Sequence, residues 1–298
     1  MKFLRFIFFV LKNGSLKSRP LDFEKRREEI LKSVPSKQNK KSLYTAWRTR
    51  LATARYTGSL VAALAYVKNA KTMHKQYFIA DALQLGYVRI FKAGSTSVLR
   101  QLLPHMDVNL NISGLSDKQI DELSNRYFRT HRNDKQKGYE YFTIVRNPFH
   151  RIVSVYLDLF DPQNSFFSYQ DYLFGILKKE MTFMQFLHAI YYIPDALKSM
   201  HFISQFHIVK LCGGKQKIKC FCIERELLSL KCFLHNYDLN FDLTNKHKVE
   251  YDYRTYYNAQ TVELVYAMYK MDIEEFDYKE EYRSLVDFVS INAPIRPH

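Results

Sequence analysis

From residue 76 onward, short apolar runs alternate with longer stretches of helical periodicity. "QYFIAD" (76–81) and "GYVRIF" (86–91) predict two short strands joined by a turn. A glycine and three hydroxyl residues then open a helix expected to run to about Leu103, stopped by Pro104. Residues 116–129 start with a Ser-x-x-Gln capping pattern and predict another helix. "YEYFTIV" (139–145), rich in β-branched and aromatic residues, predicts a buried strand. It ends at Arg146, where Asn147 as N-cap and Pro148 at the first helical position predict a helix over 148–160. Further helices are expected over 181–193, 195–211 and 225–236, with a strand at "KIKCFCIE" (217–224). A long amphipathic helix over 254–276 and a short tail complete the pattern. Strands separated by helices predict an α/β fold with a parallel sheet.

The first 75 residues read differently, as a helical extension preceding a domain over 76–298. Residues 22–33 predict a surface helix, and the Ala- and Leu-rich stretch 43–71 one or two helices with a break at Gly58. The opening "MKFLRFIFFVLK" is shorter than the roughly 20 residues that span a bilayer. Phe3, Phe6, Phe9 and Val10 share one helical face flanked by Lys2, Arg5 and Lys12. Two readings stand: an interfacial anchor making peripheral membrane contact, or a first helix packed on the protein.

Composition adds charge to this picture. Lys and Arg outnumber Asp and Glu by 45 to 30, a net +15 over 298 residues. Such a surplus favours an anionic partner. The basic residues are spread along the chain, so a nucleic-acid arm is not expected. The four cysteines, Cys212, Cys220, Cys222 and Cys232, contain no CxxC pair. Cys220 and Cys222 alternate within a strand pattern, which favours reduced thiols over a zinc site, and no metal is expected.

Candidate chemistry gathers at two strand-to-helix junctions, where a parallel sheet collects ligands. In "FKAGSTS", Gly94 lets the backbone approach an anion, and the amides of 94–97 with the hydroxyls of Ser95, Thr96 and Ser97 surround its oxygens. Lys92 adds a positive charge. The lysine precedes the glycine, unlike the Walker order in which it follows a second one. At the second junction stand Arg146 and, eight residues on, Ser154. Singly, these read as a surface ion-pair partner and a hydroxyl back-bonding to a carbonyl. Behind a second anion-cradling junction they also fit a second phosphate.

"KAGSTS" resembles the 5′-phosphosulfate loop of sulfotransferases that use 3′-phosphoadenosine 5′-phosphosulfate (PAPS). "VRNPFHRIVSVY" resembles their 3′-phosphate signature. "HFISQFHIVKL", "FCIERELLSL" and the pattern of 253–278 are similar to the carbohydrate sulfotransferase branch, which includes chondroitin-, dermatan- and 2-O-sulfating enzymes. The resemblance spans 86–278. It implies a P-loop-like three-layer fold with a central, mostly parallel sheet flanked by helices. It implies PAPS as donor, 3′-phosphoadenosine 5′-phosphate (PAP) as product, and a glycan or glycolipid acceptor, without a metal. Lys92 and residues 93–97 would hold the phosphosulfate, Ala93 among them, with Arg146 and Ser154 on the 3′-phosphate.

In-line transfer needs charge stabilisation at the leaving oxygen, for which Lys92 is the candidate, and a base for the acceptor hydroxyl. By the same resemblance His131 takes the base role. His105 is a weaker alternative, His201 matches a family histidine that also reads as structural, and His150 reads as a surface residue. Glu224 is expected to cap or orient the pocket, and Arg151 to pair with a carboxylate rather than assist the 3′-phosphate, the other reading open to it. Lys246, Lys248 and Arg254 belong to a basic stretch that closes over the nucleotide in related enzymes, or to a solvated face. Without a membrane-spanning stretch, a cytoplasmic enzyme is expected, at the inner membrane face for a lipid-linked acceptor. Two rival readings remain: a P-loop-type nucleotide kinase, and a non-catalytic binder of acidic glycan or nucleic acid.

Overall fold

The computed structural model describes residues 5–6, 74–107, 110–160, 176–177, 180–195, 198–213, 217–243 and 251–292. The helices expected over 22–33 and 43–71 lie outside these residues, as do Lys246, Lys248 and all of the N-terminal stretch except Arg5 and Phe6. By contacts the chain falls into two compact units, one of His74–Tyr156 with Ser199–His298, the other of Met1–Met73 with Leu157–Lys198.

The first unit is a mixed α/β structure around a four-stranded, mostly parallel sheet. Strands β1 (Tyr77–Ala80), β2 (Leu85–Val88), β3 (Glu140–Val145) and β4 (Lys219–Cys222) lie side by side in that order. β1 runs antiparallel to β2, while β2, β3 and β4 are parallel. β1, β2 and β3 from Tyr141 onward are buried on both faces, whereas the edge strand β4 is half-buried at Cys220 and Phe221 and exposed at Lys219. Thr143, a buried polar residue in β3, is satisfied internally, its hydroxyl donating to the Val88 carbonyl at 2.7 Å.

Helices α1 (Ser95–Met106) and α2 (Asp117–Ser124) lie between β2 and β3, and α3 (Pro148–Phe160) follows β3. α4 (Phe183–Tyr192) belongs to the second unit, where Phe186 packs edge-on against Phe160. α5 (Gln205–Gly213), α6 (Leu227–His235), α7 (Ala259–Glu275) and α8 (Lys279–Ile291) complete the first. α1 packs on β1, α6 on β4, and α7 on both α5 and α8. Among the described residues no helix is long and apolar enough to cross a membrane.

Several boundaries differ from the sequence expectation, among them the helix expected over 254–276, which starts only at Ala259 after a 3-10 turn. α1 continues past Pro104 to Met106, because a proline in the last turn removes only one ladder bond. α2 begins at the expected Ser116/Gln119 capping box and stops at Ser124, because Arg129 is drawn into an antiparallel bridge with Tyr77. The helix expected over 195–211 starts only at Gln205. The carbonyls of Met200, His201 and Ile203 are taken by the Arg151 guanidinium, so they are lost to a helical ladder. The C-terminal tail is itself a helix, α8, with Leu285 and Val289 buried at i, i+4 spacing.

Asp272, on α7, fixes where α5 starts. Its carboxylate is fully buried and accepts from the Ser204 hydroxyl at 2.6 Å and from the amides of Gln205 and Phe206 at 2.9 Å each. Replacing it leaves two orphan amides at a buried helix start. Asp272→Ala is therefore expected to lower unfolding free energy by about 3 kcal/mol. Urea denaturation checks this; an unchanged midpoint contradicts the capping role.

Candidate active site

The first junction turns sharply after β2. Lys92 has φ +64° and Gly94 φ +77°, so two left-handed residues flank Ala93 before α1 starts at Ser95. Such alternation bends successive amides toward one concavity, an arrangement suited to anions. A Cβ on Gly94 would lie 2.9 Å from the Ile223 Cδ1. Glycine is thus needed for its dihedral, and an added Cβ would also have to displace the mobile end of the Ile223 side chain. Lys92 has no such freedom, and holding it there costs on the order of 1 kcal/mol.

Two arginines from the second junction hold that conformation. Arg146, the residue after β3, donates from Nη1 to the Lys92 carbonyl at 3.0 Å. Arg151, in the first turn of α3, donates from Nε to the Phe91 carbonyl at 2.9 Å. In a trans peptide the N–H opposes the C=O, so the amides of Lys92 and Ala93 point away from these guanidinium groups. The strand ends read separately from the sequence are therefore one structure.

Ser154 lies on the same side of the second junction. Its side chain is 8% exposed and bonds to the Tyr251 phenol, which also touches Arg146. Burial pushes the Arg146 guanidinium below its usual value, opposed by Tyr251 and Glu224. Burial likewise pushes the Tyr251 phenol up, against the pull of Arg146 and Ser154.

A model of the sulfotransferase family matches residues 75–225, just over half of the chain and both junctions with it. The chain belongs to the sulfotransferase family. No curated protein and no solved structure matches it.

As a sulfotransferase, the chain is a transferase of the sulfuryl group, and its expected site residues are placed as follows. Lys92, half-buried, stands with Ala93, Gly94, Ser95 and Ser97 in the turn and first helical residues, where both serines are buried. Thr96 turns its hydroxyl away from that turn, donating to Asp121 on α2 at 3.2 Å. His131 is exposed, beside the Thr130 hydroxyl, two residues past the bridge on the outer edge of β1. That edge is two strand spacings from β2, about 10 Å. His105 is exposed in the last turn of α1. His201 packs its ring 4.5 Å from Phe91, next to Lys92, with Nδ1 at 3.2 Å from the Ser199 hydroxyl.

Several neighbours correct the sequence reading. Arg151 does not take a carboxylate into a hydrogen bond; besides Phe91 it donates to the carbonyls of Met200, His201 and Ile203 at 3.4, 3.0 and 2.9 Å. Burial lowers its pKa, while Tyr269 and Asp272 act through space to raise it. His150 is not a surface residue: its Nε2 lies 2.6 Å from Arg146 Nη2, and its ring stacks on Tyr253 at 4.9 Å. Gln205 brackets the Arg146 backbone, accepting from its amide at 3.0 Å and donating to its carbonyl at 2.7 Å. Glu224 accepts from the Asn147 amide and the Tyr278 hydroxyl, each at 2.9 Å, which ties the start of α3 to the C-terminal region. Arg254 is tied to Asp252 at 2.8 Å.

The four cysteines are unpaired. Burial pushes the Cys212 thiol up to about 11 and Cys220 up to about 12, so both are protonated at neutral pH. Among the described residues no cluster of three or more His, Cys, Asp or Glu converges as a metal site.

The Gly94 geometry has a measurable consequence. Gly114 shares its left-handed backbone (φ +75°), but a Cβ there meets nothing within 4 Å. Gly114→Ala is expected to cost about 1 kcal/mol, from backbone strain alone. Gly94→Ala carries that strain plus the cost of displacing the Ile223 methyl, and is expected to be the more destabilising of the two. Equal midpoints in parallel denaturation curves contradict the close-packing account.

Proposed function

We propose that the chain moves the sulfuryl group of PAPS to a hydroxyl of a carbohydrate or glycolipid acceptor. One observation carries this reading: the hydrogen bond from Arg146 to the Lys92 carbonyl makes two anion-binding strand ends immediate neighbours. A nucleotide with anionic groups on both its 3′ and 5′ sides needs that proximity. The P-loop-like reading of the fold rests on the same turn, a strand leading through left-handed Lys92 and Gly94 into a helix N-terminus.

The donor set fits such a nucleotide. Lys92, Ala93, Gly94 and the start of α1 (Ser95, Thr96, Ser97) would hold the 5′-phosphosulfate, with Thr96 contributing its amide because its hydroxyl is engaged. Arg146 and Ser154 would hold the 3′-phosphate. PAPS supplies the activated sulfuryl group; the chain supplies position and charge. The Lys92 ammonium neutralises charge growing on the leaving oxygen, and amides already fixed by the arginine clamp stabilise the transferring group without reorganising. The acceptor proton needs a base near this turn. His131 is the candidate by resemblance, at an edge about 10 Å from β2, and His201, whose ring packs on Phe91, is the candidate by position.

The carbohydrate assignment rests on the sequence resemblance and on the net +15, which suits both a polyanionic donor and an acidic glycan. We assign the reaction to the cytoplasm, at the inner membrane face for a glycolipid acceptor, on the Phe-rich basic N-terminal stretch. Nucleic acid is not part of the reading.

The test is PAP binding in EDTA, followed by transfer of radiolabelled sulfate from PAPS to a panel of glycans and glycolipids. Metal-independent binding is expected. Lys92→Ala is expected to slow transfer about a hundredfold, the effect of removing one charge-stabilising donor worth about 3 kcal/mol. Preference for ATP with Mg²⁺ supports a kinase instead, and salt-sensitive polymer binding without nucleotide supports a non-catalytic binder. Either result overturns the proposal.

A further inference from the structure

His150 and Ser154, four residues apart on α3, share one face of that helix, and Arg146, just before it, reaches that face through His150. His150 stands between the other two in sequence and beside Arg146 in space, Nε2 to Nη2 at 2.6 Å. The guanidinium only donates, so here the imidazole nitrogen accepts and carries no proton. The ring is fixed from the far side by stacking on Tyr253, 14° from parallel, and edge-on by Tyr251 at 5.8 Å. Asn147 ties Tyr253 in place, donating to its hydroxyl at 3.3 Å.

We infer that His150 is a proton-linked ligand of the nucleotide's 3′-phosphate, accepting from Arg146 when the pocket holds no phosphate and donating beside it when one is bound. The inference rests on the proposed PAPS reading. Its physical basis is the geometry of two nitrogens. An imidazolium Nε2–H facing the Arg146 N–H groups at 2.6 Å places donor against donor, so protonation without an anion is opposed. A phosphate oxygen received between the two nitrogens accepts from both, and charge-assisted bonds to a dianion favour the imidazolium. Solvent supplies the proton, which ends on Nε2.

The charges around the ring act in both directions. Arg146 opposes a second positive charge. Asp252, in the segment before α7, interacts with His150 electrostatically and favours it, although that carboxylate also pairs with Arg254. Glu224 acts on Arg146 from beyond β4. Tyr251 and Tyr253 are held neutral, burial raising both phenols. The phosphate is the added negative charge that changes the balance.

The sign follows from linkage. A group that gains a proton on binding gives an affinity greatest at low pH and lost as pH rises. Between pH 7 and pH 9 the ligand's phosphates, with a second ionisation near about 6, are already dianionic and contribute little. Over that window PAP affinity of the wild-type chain should fall by up to about tenfold per pH unit.

The experiment is calorimetric titration of the full chain at pH 7.5 in buffers of different ionisation enthalpy, with PAP and with adenosine 5′-phosphate at saturating concentration. Wild type should take up more protons with PAP than with adenosine 5′-phosphate, approaching about one. His150→Gln keeps an acceptor for Arg146 but cannot be protonated; it should bind PAP with no extra uptake and a nearly flat pH profile. If that variant fails to fold, the comparison of the two nucleotides on wild type still decides. Equal proton uptake for both nucleotides, or for wild type and variant, overturns this inference and leaves the proposed function standing. Failure of wild type to bind PAP at all overturns both.

Discussion

Two arginines gripping consecutive carbonyls hold the whole site. Arg146 takes the carbonyl of Lys92 and Arg151 that of Phe91, so the turn after β2 is shaped by the helix after β3. Both guanidinium groups are buried, Arg151 to 1% exposure and Arg146 to 9%. A buried cation is costly unless its donors are met; those of Arg151 are met by four backbone carbonyls, and those of Arg146 by the Lys92 carbonyl, His150 and Tyr251. The strained dihedral of Lys92 persists because these bonds over-determine it.

The supporting shell repeats the same device further out. Asp272 caps α5, which places Gln205; Gln205 brackets the Arg146 backbone by its amide and carbonyl. Arg151 reaches through to the carbonyls of 200–203, so the loop before α5 and the turn before α1 share one side chain. Glu224 accepts the amide of Asn147, at the entry to α3, and is itself held by Tyr278 from the C-terminal region. Residues far apart in the chain thus meet at two peptide groups. This explains why a site of so few charged residues draws on four strand and helix ends.

Much of this was legible in the sequence, and the limits have physical causes. The strands showed as buried apolar runs, and α2 and α3 showed their caps at Ser116 and Asn147. Lys92, Gly94 and Arg146 stood out as a pair of strand-end cations with a glycine beside one, although Arg146 alone also reads as a surface ion-pair partner. Arg151 was misread because side-chain pairing with backbone carbonyls leaves no pattern; nothing in "PFHRIVSVY" distinguishes a carbonyl-bound arginine from an ion-paired one. His150 did leave a signal, its spacing of four from both Arg146 and Ser154, but a lone histidine between two polar residues reads equally as solvent-facing. The late start of α5 followed from Arg151 competing for carbonyls, a tertiary effect that periodicity cannot express. Thr96 shared the hydroxyl pattern of its neighbours, and only the position of Asp121 on a separate helix directs it elsewhere.

The central claim is that one nucleotide spans both junctions, with each junction reading a different end of it. The direct measurement is the affinity of Ser97→Ala and Ser154→Ala for three ligands: PAP, adenosine 5′-phosphate and adenosine 3′-phosphate. The account predicts that Ser154→Ala weakens only ligands carrying the 3′-phosphate, and Ser97→Ala only those carrying the 5′-phosphate, by several-fold each. Losses that ignore which phosphate the ligand carries would contradict it.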